Sequence, residues 1–206
     1  MYNSQKAKSI KTTTKVVTVG INDNCKYITG EVKTSQNGNP FFEIIFENAE
    51  GVKVTQTEWK PTRFDGMTDE DYQAKYDTQY SRMLQILECF YKEEELNFNG
   101  ESFTEFANWV IDLLNKVDKE TLLRIKFVYN NRGFVTLPSY AKFQFIERMD
   151  TPKSNIKILD KDQLIRPVVA DTEVKVNTDY LATPGTSLGS SENTTSTTQV
   201  NSDLPF

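Results

Sequence analysis

The spacing of apolar residues changes twice along this chain, and this change limits the possible folds more than any other feature of the sequence. From Lys15 to Trp59, apolar and β-branched residues stand in short alternating runs separated by turn residues, a pattern that predicts strands. Over about 68–117 they recur every three or four residues, which predicts helices. The alternation then returns and fades after Asp150. We therefore expect several strands, a helical part and two or three further strands.

The strands before the helical part are separated by turn signals. Two β-branched runs, KVVTVG and KYITGEVK, are interrupted by INDNC, and the turn signal NGNP precedes FFEIIFE. After NAEG, the run VKVTQTEWK alternates strictly, so we expect Val52 and Val54 on one face of a strand. The opposite face then carries Lys53, Thr55, Thr57 and Trp59.

Two amphipathic helices are expected in the helical part. The first covers about 68–94 with Thr68 as its N-cap, and the second covers 102–117. The second begins with an S-x-x-E capping box formed by Ser102 and Glu105. The apolar stripe of the first helix consists of Tyr72, Tyr76, Tyr80, Met83, Leu87 and Phe90. That of the second consists of Phe106, Trp109 or Val110, Leu113 and Val117.

Strand character returns in TLLRIKFVYN, and the turn NNRG leads into FVTLP. In the first of these runs Leu123, Ile125 and Phe127 alternate with Arg124, Lys126 and Val128. The run AKFQFIERM is expected to form the last strand.

This order predicts a mainly β (α+β) fold. A five-stranded Greek-key barrel of the OB type has its helix between the third and fourth strands. The order fits such a barrel if the first two runs form one long, bulged strand and the insertion at about 68–117 holds two helices. The alternative is a generic α+β sheet with helices on one face.

The two ends of the chain differ in composition from its middle. Residues 1–14 are polar and carry lysines, as expected of a flexible arm, and the folded domain is expected at 15–150. Residues 151–206 are expected to form an extended to disordered, mildly acidic tail. Within it, 177–206 contain three acidic residues, no lysine or arginine, and much Ser, Thr, Asn and Gly.

Several classes of chemistry are disfavoured by what the sequence lacks. The chain contains no histidine, so Ser-His-Asp and Cys-His catalysis are excluded, and zinc would depend on two cysteines and carboxylates. Cys25 and Cys89 stand far apart, as expected of free thiols in a reducing compartment. No run approaches the roughly 18 apolar residues of a membrane helix, and the N-terminus lacks a signal-peptide core. These features predict a soluble, cytoplasmic, non-enzymatic protein without metal or cofactor.

The chain ends in NSDLPF, although apolar residues at the end of a polar tail gain nothing unless another surface buries them. The tip Asp203, Leu204, Pro205 and Phe206 resembles the C-terminal tip of bacterial and phage single-stranded DNA-binding proteins, where acids precede an apolar residue, Pro and Phe. RGFVTLPSYAKF also resembles phage replication proteins. The tip of that family carries several adjacent acids whereas this one carries a single Asp, which implies weaker, less salt-dependent tip binding.

This resemblance implies a protein that coats single-stranded DNA during replication, recombination and repair. Its tip would recruit other proteins of these processes, in the cytoplasm of a bacterial cell or of the host of a phage. Phe206 would enter an apolar pocket, worth roughly 1.5–3 kcal/mol when fully buried. Its α-carboxylate would meet an Arg or Lys, Pro205 would lower the ordering cost, and Asp203 would steer the tip to a basic rim.

Binding of single strands without sequence preference needs cations for phosphates and aromatic faces for bases. Three strand regions combine basic and aromatic residues, and we expect them to bind the nucleic acid. The first contains Lys26, Tyr27 and Lys33, and the second contains Lys53, Trp59, Lys60 and Arg63. The third contains Arg124, Lys126, Tyr129, Arg132 and Phe134. The formal net charge is −5, but much of the acid lies in the helical part and the tail, so the strands are locally basic.

Other interpretations of the same residues stay open. Lysines on an outward strand face also serve ordinary solvation, and a tryptophan such as Trp59 is usually partly buried. The stripe Tyr72, Tyr76 and Tyr80 would serve a structural or protein-interaction protein of a phage. Glu58 and Lys60 form an E-x-K pair reminiscent of metal-dependent nucleases, with Glu43 or Asp65 as the second acid.

Overall fold

Six β-strands and two α-helices form the part of the chain that the structure, a computed structural model, describes, which is residues 17–168. The strands are β1 (Gly20–Thr34), β2 (Pro40–Glu47), β3 (Lys53–Trp59), β4 (Leu123–Tyr129), β5 (Val135–Thr136) and β6 (Ile146–Arg148). The helices are α1 (Asp69–Leu87) and α2 (Phe103–Leu114), with a 3₁₀ turn at Glu93–Glu95 between them. The predictions of a mainly β fold and of two helices between the third and fourth strands are confirmed.

All six strands join one open antiparallel sheet, with β3, β2, β1, β4 and β5 in that order and β6 paired with β4. β1 and β6 both pair with Leu123–Ile125 and therefore lie on opposite edges of β4. Among the described residues no ladder joins β3 to β5, but the Gln56 side chain bridges them. Its Oε1 accepts hydrogen bonds from Thr136 Oγ1 at 2.6 Å and from the Leu137 N–H at 3.0 Å.

The first strand is long and bulged, as the barrel interpretation required, but among the described residues the predicted run KVVTVG contributes only Gly20 to it. The segment INDNC does not end the strand but shifts its register against β4 between Asn22 and Cys25. Asn24 adopts a positive φ of 56°, a conformation that asparagine tolerates better than most residues. The bulge lets the two halves of β1 serve different neighbours, because Gly20–Cys25 pair with β4 and Lys26–Thr34 pair with β2.

The core lies between the inner face of the sheet and the two helices. In β3 the predicted alternation is observed, since Val54 is buried whereas Lys53 and Trp59 are exposed. Gly30 of β1 lies beneath α2, and a Cβ atom there would come within 2.7 Å of Ile111 Cδ1. The helix therefore approaches the sheet as closely as it does because position 30 has no side chain.

Both helices begin where their capping signals predicted, but they end earlier than their apolar stripes suggested. Thr68 Oγ1 accepts a hydrogen bond from the Asp71 N–H, and Ser102 with Glu105 forms the capping box. α1 ends at Leu87 and α2 at Leu114. The residues beyond these ends, such as Phe90, still pack against the core from irregular backbone.

The packed region extends past Asp150, where the tail was expected to begin. Ile156 is buried, and the Tyr129 N–H donates to Gln163 O at 2.8 Å. Residues 156–166, called the strap below, thus cover the outer face of β4. This covering explains why Lys126 and Val128, which alternation placed on a solvent face, are buried.

Some predictions concern residues outside 17–168. The flexible arm at 1–14, the tail beyond residue 168 and the tip Asp203–Phe206 all lie outside the described residues. Within 17–168, no helix combines the length and the apolar character needed to cross a membrane.

Candidate nucleic-acid interface

A groove of about 1150 Å³ runs between the outer face of β3, the turn after β4 and the strap. Its polar and aromatic lining includes Lys53, Thr55, Thr57, Trp59, Tyr129, Asn130, Arg132, Phe134, Tyr140, Lys161 and Gln163. Five of these, Lys53, Trp59, Tyr129, Arg132 and Phe134, belong to the set predicted from the sequence. They come from two separate strand regions, and the fold brings them to one groove.

Two exposed aromatic rings give this groove apolar faces. Trp59 is 49% exposed and stacks on Phe41 of the neighbouring strand, with ring centroids 4.3 Å apart and an interplanar angle of 25°. Phe134 is 63% exposed, in the turn after β4. A ring that is supported on one side and open on the other can stack on a nucleobase without first being ordered.

The groove is electropositive although the whole chain is acidic. Lys53, Arg132 and Lys161 are exposed cations in its lining. Among the described residues that line it, Asp162 is the one acidic side chain, and this carboxylate is buried against Lys126. Three cations without an accessible acid provide a local field that attracts phosphates.

The turn that carries Arg132 and Phe134 is held by local hydrogen bonds. Asn130 Oδ1 accepts from the N–H groups of Arg132 and Phe134 at 2.9 and 3.0 Å. Gly133 has a φ of 75°, and a Cβ atom there would meet Arg166 Nε at 3.1 Å. Arg166 of the strap therefore packs over this turn and adds a further cation beside it.

The strap is fixed by a buried polar cluster around Asp162. Lys126 Nζ donates to Asp162 Oδ2 at 2.7 Å and to Lys157 O at 2.6 Å, and Tyr140 Oη donates to Asp162 Oδ1 at 2.6 Å. Burial by itself raises the pKa of Asp162, but hydrogen bonds from Lys126, Tyr140 and the Leu159 N–H outweigh it and hold the pKa below its ordinary value. Asp162 is therefore a carboxylate at neutral pH.

The anchoring of Asp162 also fixes the position of Lys161, because the two residues are adjacent in the sequence. Its Nζ lies 3.9 Å from the ring centroid of Tyr140 and 4.6 Å from that of Phe143. Cation–π contacts of this kind hold the side chain of an exposed lysine in place. The arrangement presents a positioned cation on the wall of the groove.

The structure places the remaining predicted residues elsewhere. Tyr27 and Lys126 are fully buried, which corrects their expected exposure, because α2 and the strap cover them. Four other predicted cations outside the groove are engaged in ion pairs. These pairs are Lys26 with Glu120, Lys33 with Glu31 and Glu43, Arg63 with Asp69, and Arg124 with Asp23 and Glu147. Lys60 is exposed and lines a different pocket.

Glu58, the acid of the possible nuclease motif, belongs to a buried polar network. Its Oε1 lies 2.8 Å from Arg82 Nη1 and accepts from Gln56 Nε2, while its Oε2 accepts from Gln79 Nε2 at 2.9 Å. Within residues 17–168, no group of three or more Cys, Asp or Glu side chains is placed to hold a metal ion. The network ties β3 to α1, and Arg82 extends it to Pro138 O.

Sequence reasoning missed Tyr140, Lys161 and Gln163 of the groove. All three follow the region where alternation is clear, and their positions depend on the strap returning to β4. The one local signal was the pairing of aromatic and basic residues in SYAKF, which the sequence places after the last turn.

The chain matches no family model, no curated protein and no solved structure.

Proposed function

We propose that this protein is a non-enzymatic single-stranded DNA-binding protein that coats unwound strands during replication, recombination or repair. The observation that carries the proposal is the groove, where Trp59 and Phe134 stand beside Lys53, Arg132 and Lys161. Stacking faces for bases and unpaired cations for phosphates are the two requirements of sequence-tolerant single-strand binding.

We further propose an OB-like barrel as the scaffold. The order of the elements, with helices between the third and fourth strands, supports this proposal. So does the Gln56 bridge, because it links β3 to β5, the two ends of the strand order, where such a barrel would close. In OB folds nucleic acid lies across one face of the strands, and the groove along β3 offers such a face.

The C-terminal tip completes the proposal. Asp203, Leu204, Pro205 and Phe206 would bind replication, recombination or repair proteins through an acidic residue followed by an apolar anchor. We place the protein in the cytoplasm of a bacterium or of a phage-infected cell, where such partners act.

Fluorescence anisotropy of labelled oligo(dT), titrated with the full-length protein at low and moderate salt, tests the DNA-binding proposal. We expect binding that weakens with salt, by a log–log slope of about −0.7 per phosphate neutralised, and little binding to an unrelated duplex. Phe134→Ala should weaken binding by about 5- to 150-fold, the equivalent of one lost stacking contact.

Phe64→Ala is the matched control, because Phe64 is 64% exposed, like Phe134, but lies outside the groove lining. Its affinity should equal that of the wild type. An equal loss in both variants would show that the groove is not the binding surface. Absence of binding to single strands would reject the proposal and favour a structural or protein-interaction role.

A further inference from the structure

We propose that a second pocket, on the helical side of the molecule, binds an arginine side chain presented by a partner protein. The pocket has a volume of about 530 Å³ and lies between α1, the loop after the 3₁₀ turn and the start of α2. Its aromatic lining consists of Tyr76, Tyr80, Phe98, Phe103 and Phe106, and it is called the aromatic pocket below. This inference goes beyond DNA binding and does not depend on it.

Three of the lining rings, those of Tyr80, Phe98 and Phe106, contact one another. The ring centroid of Phe106 lies 5.6 Å from those of both Tyr80 and Phe98. Three of the five rings, those of Tyr76, Tyr80 and Phe98, are only partly buried. Among the described residues, no lysine or arginine occupies the face of any of these rings, unlike Tyr72 and Tyr140 elsewhere. Tyr80 already stacks on Trp109, with ring centroids 6.2 Å apart and an interplanar angle of 12°, so the surface left for a ligand is the exposed part of Tyr76, Tyr80 and Phe98.

Charge at this pocket favours a cation over an anion. Asp77 and Glu101 are exposed carboxylates in its lining, against the single cation Lys60. Neither carboxylate lies within 4 Å of a lysine or arginine nitrogen in the part of the chain that the structure describes. Asp77 Oδ1 accepts a hydrogen bond from the neutral amide of Gln73 at 2.9 Å, so an incoming positive charge would meet two acids with no competing cation among the described residues.

The start of α2 does not offer the usual anion site. Glu105 Oε2 accepts the N–H groups of Glu101 and Ser102 at 2.9 and 3.0 Å, and Ser102 Oγ accepts that of Glu105 at 3.2 Å. These hydrogen bonds hold the pKa of Glu105 below its ordinary value, so the helix start is already neutralised by a carboxylate. Phosphate would find no free donors among these three groups.

A buried acceptor in the lining points to a ligand that donates hydrogen bonds. Gln79 lines the pocket, and its Nε2 donates to Glu58 Oε2 and to Trp59 O, which fixes the orientation of its amide. Its Oε1 is buried without a hydrogen-bond partner among the described residues. A buried acceptor without a donor is destabilising. A donor group held in the pocket would supply the missing bond once the side chains that cover Gln79 Oε1 move aside.

Arginine combines all three properties that the pocket requires. Its planar guanidinium stacks on aromatic faces, carries a permanent positive charge and presents five N–H donors. A lysine ammonium lacks the planar face, and a nucleotide brings the wrong charge. The partner is therefore expected to present an arginine on an exposed segment.

Two-dimensional ¹H–¹⁵N NMR of the full-length protein, titrated with the blocked peptide acetyl-Gly-Arg-Gly-amide and without DNA, tests this inference. We expect the shifted amides to cluster in α1 and at the start of α2. The same peptide with citrulline, the neutral isostere of arginine, should bind at least about fivefold more weakly. Equal shifts by the citrulline peptide, or shifts at the same amides caused by dCMP or inorganic phosphate, would overturn the proposal.

Variants at the rim of the pocket should change the affinity for the arginine peptide in opposite directions. Asp77→Asn with Glu101→Gln should weaken arginine binding by about fivefold or more, and Lys60→Met should strengthen it. Glu70→Gln with Asp112→Asn, an equal charge change at exposed positions outside the lining, should leave it unchanged. Equal weakening in the rim variant and its control would also overturn the proposal, since it would show only a dependence on net charge.

Discussion

Lys126 and Asp162 are 36 residues apart in the sequence, yet Lys126 Nζ lies 2.7 Å from Asp162 Oδ2 and both side chains are fully buried. The pair joins the outer face of β4 to the strap. Because Lys161 and Gln163 flank Asp162 and line the groove, the same pair positions one wall of the candidate interface. The buried Lys126–Asp162 contact thus determines where Lys161 and Gln163 lie on the surface.

Lys126→Met should destabilise the protein by about 3–5 kcal/mol, because it leaves the Asp162 carboxylate buried without its cation. Urea denaturation measures this free energy of unfolding. Asp162→Leu combined with Lys126→Met should recover part of the loss, since no buried charge then remains unpaired. Arg148→Ala is the control, because it breaks an exposed pair with Asp150 and should cost about 1 kcal/mol or less. Similar losses for Lys126→Met and Arg148→Ala would contradict this account.

Because of the Asp162 carboxyl, the free energy of unfolding should decrease at acidic pH. Its pKa in the folded state is below its ordinary value, so its contribution is fully present above the unfolded-state pKa of about 3.9. The contribution is lost as pH falls below that value and through the lower folded-state pKa. Asp162→Asn removes this titration, and its unfolding free energy should therefore fall less steeply with decreasing pH than that of the wild type.

Part of the acid dependence should remain in Asp162→Asn, because Glu147 titrates in the same direction. Burial raises the pKa of Glu147, but hydrogen bonds with Ser154, Arg124 and the Asn155 N–H outweigh burial and hold this pKa below its ordinary value. Denaturation curves recorded for the wild type and Asp162→Asn at several pH values between about 3 and 6 give the contribution of Asp162 as their difference. Parallel pH profiles for the wild type and Asp162→Asn would show that Asp162 is not the group responsible.

The sequence predicted those features that depend on neighbours along the chain. The cap at Thr68, the capping box at Ser102 and the alternation around Val54 are local, and each is observed. Lys126 was expected on a solvent face because a strand with one covered face alternates. The strap covers the outer face of β4, and no residue pattern within β4 itself indicates that a segment beyond Asp150 covers it.

Only part of the candidate groove could be predicted, because only some of its residues belong to a pattern that is local in the sequence. Trp59 and Arg132 could be recognised because an aromatic or basic residue on an outward face is visible in a local pattern. Lys161 and Tyr140 could not, since their places depend on tertiary contacts with β4. Tyr27 misled the prediction, because the alternation of its run does not show which face α2 covers.

Lys161→Ala should lower the affinity for oligo(dT) and reduce the slope of log affinity against log salt by about 0.7, the effect of one lost phosphate contact. The reason is its position on the groove wall, held over Tyr140 and Phe143. Lys92→Ala removes an exposed lysine outside the groove and should change neither quantity. Anisotropy titrations at several salt concentrations make the comparison, and equal slopes in all three proteins would remove Lys161 from the interface.

Glu58→Ala should destabilise the protein by about 3–5 kcal/mol, since it leaves Arg82 buried without its partner. The wild type should not cleave single- or double-stranded DNA in the presence of Mg²⁺, and gel electrophoresis of incubated substrates checks this. Divalent-dependent cleavage that disappears in a folded Glu58→Gln protein would restore the nuclease hypothesis and contradict a purely structural role for Glu58.

We propose that single-stranded DNA binds in the groove against Trp59, and tryptophan fluorescence reports on this contact. The chain has two tryptophans, and Trp109 is half-buried among the rings of α1 and α2, away from the groove. Oligo(dT) should therefore quench the emission of the wild type and of Trp109→Phe, and leave that of Trp59→Phe nearly unchanged. Quenching that persists in Trp59→Phe and disappears in Trp109→Phe would place the DNA on the helical side and contradict the account.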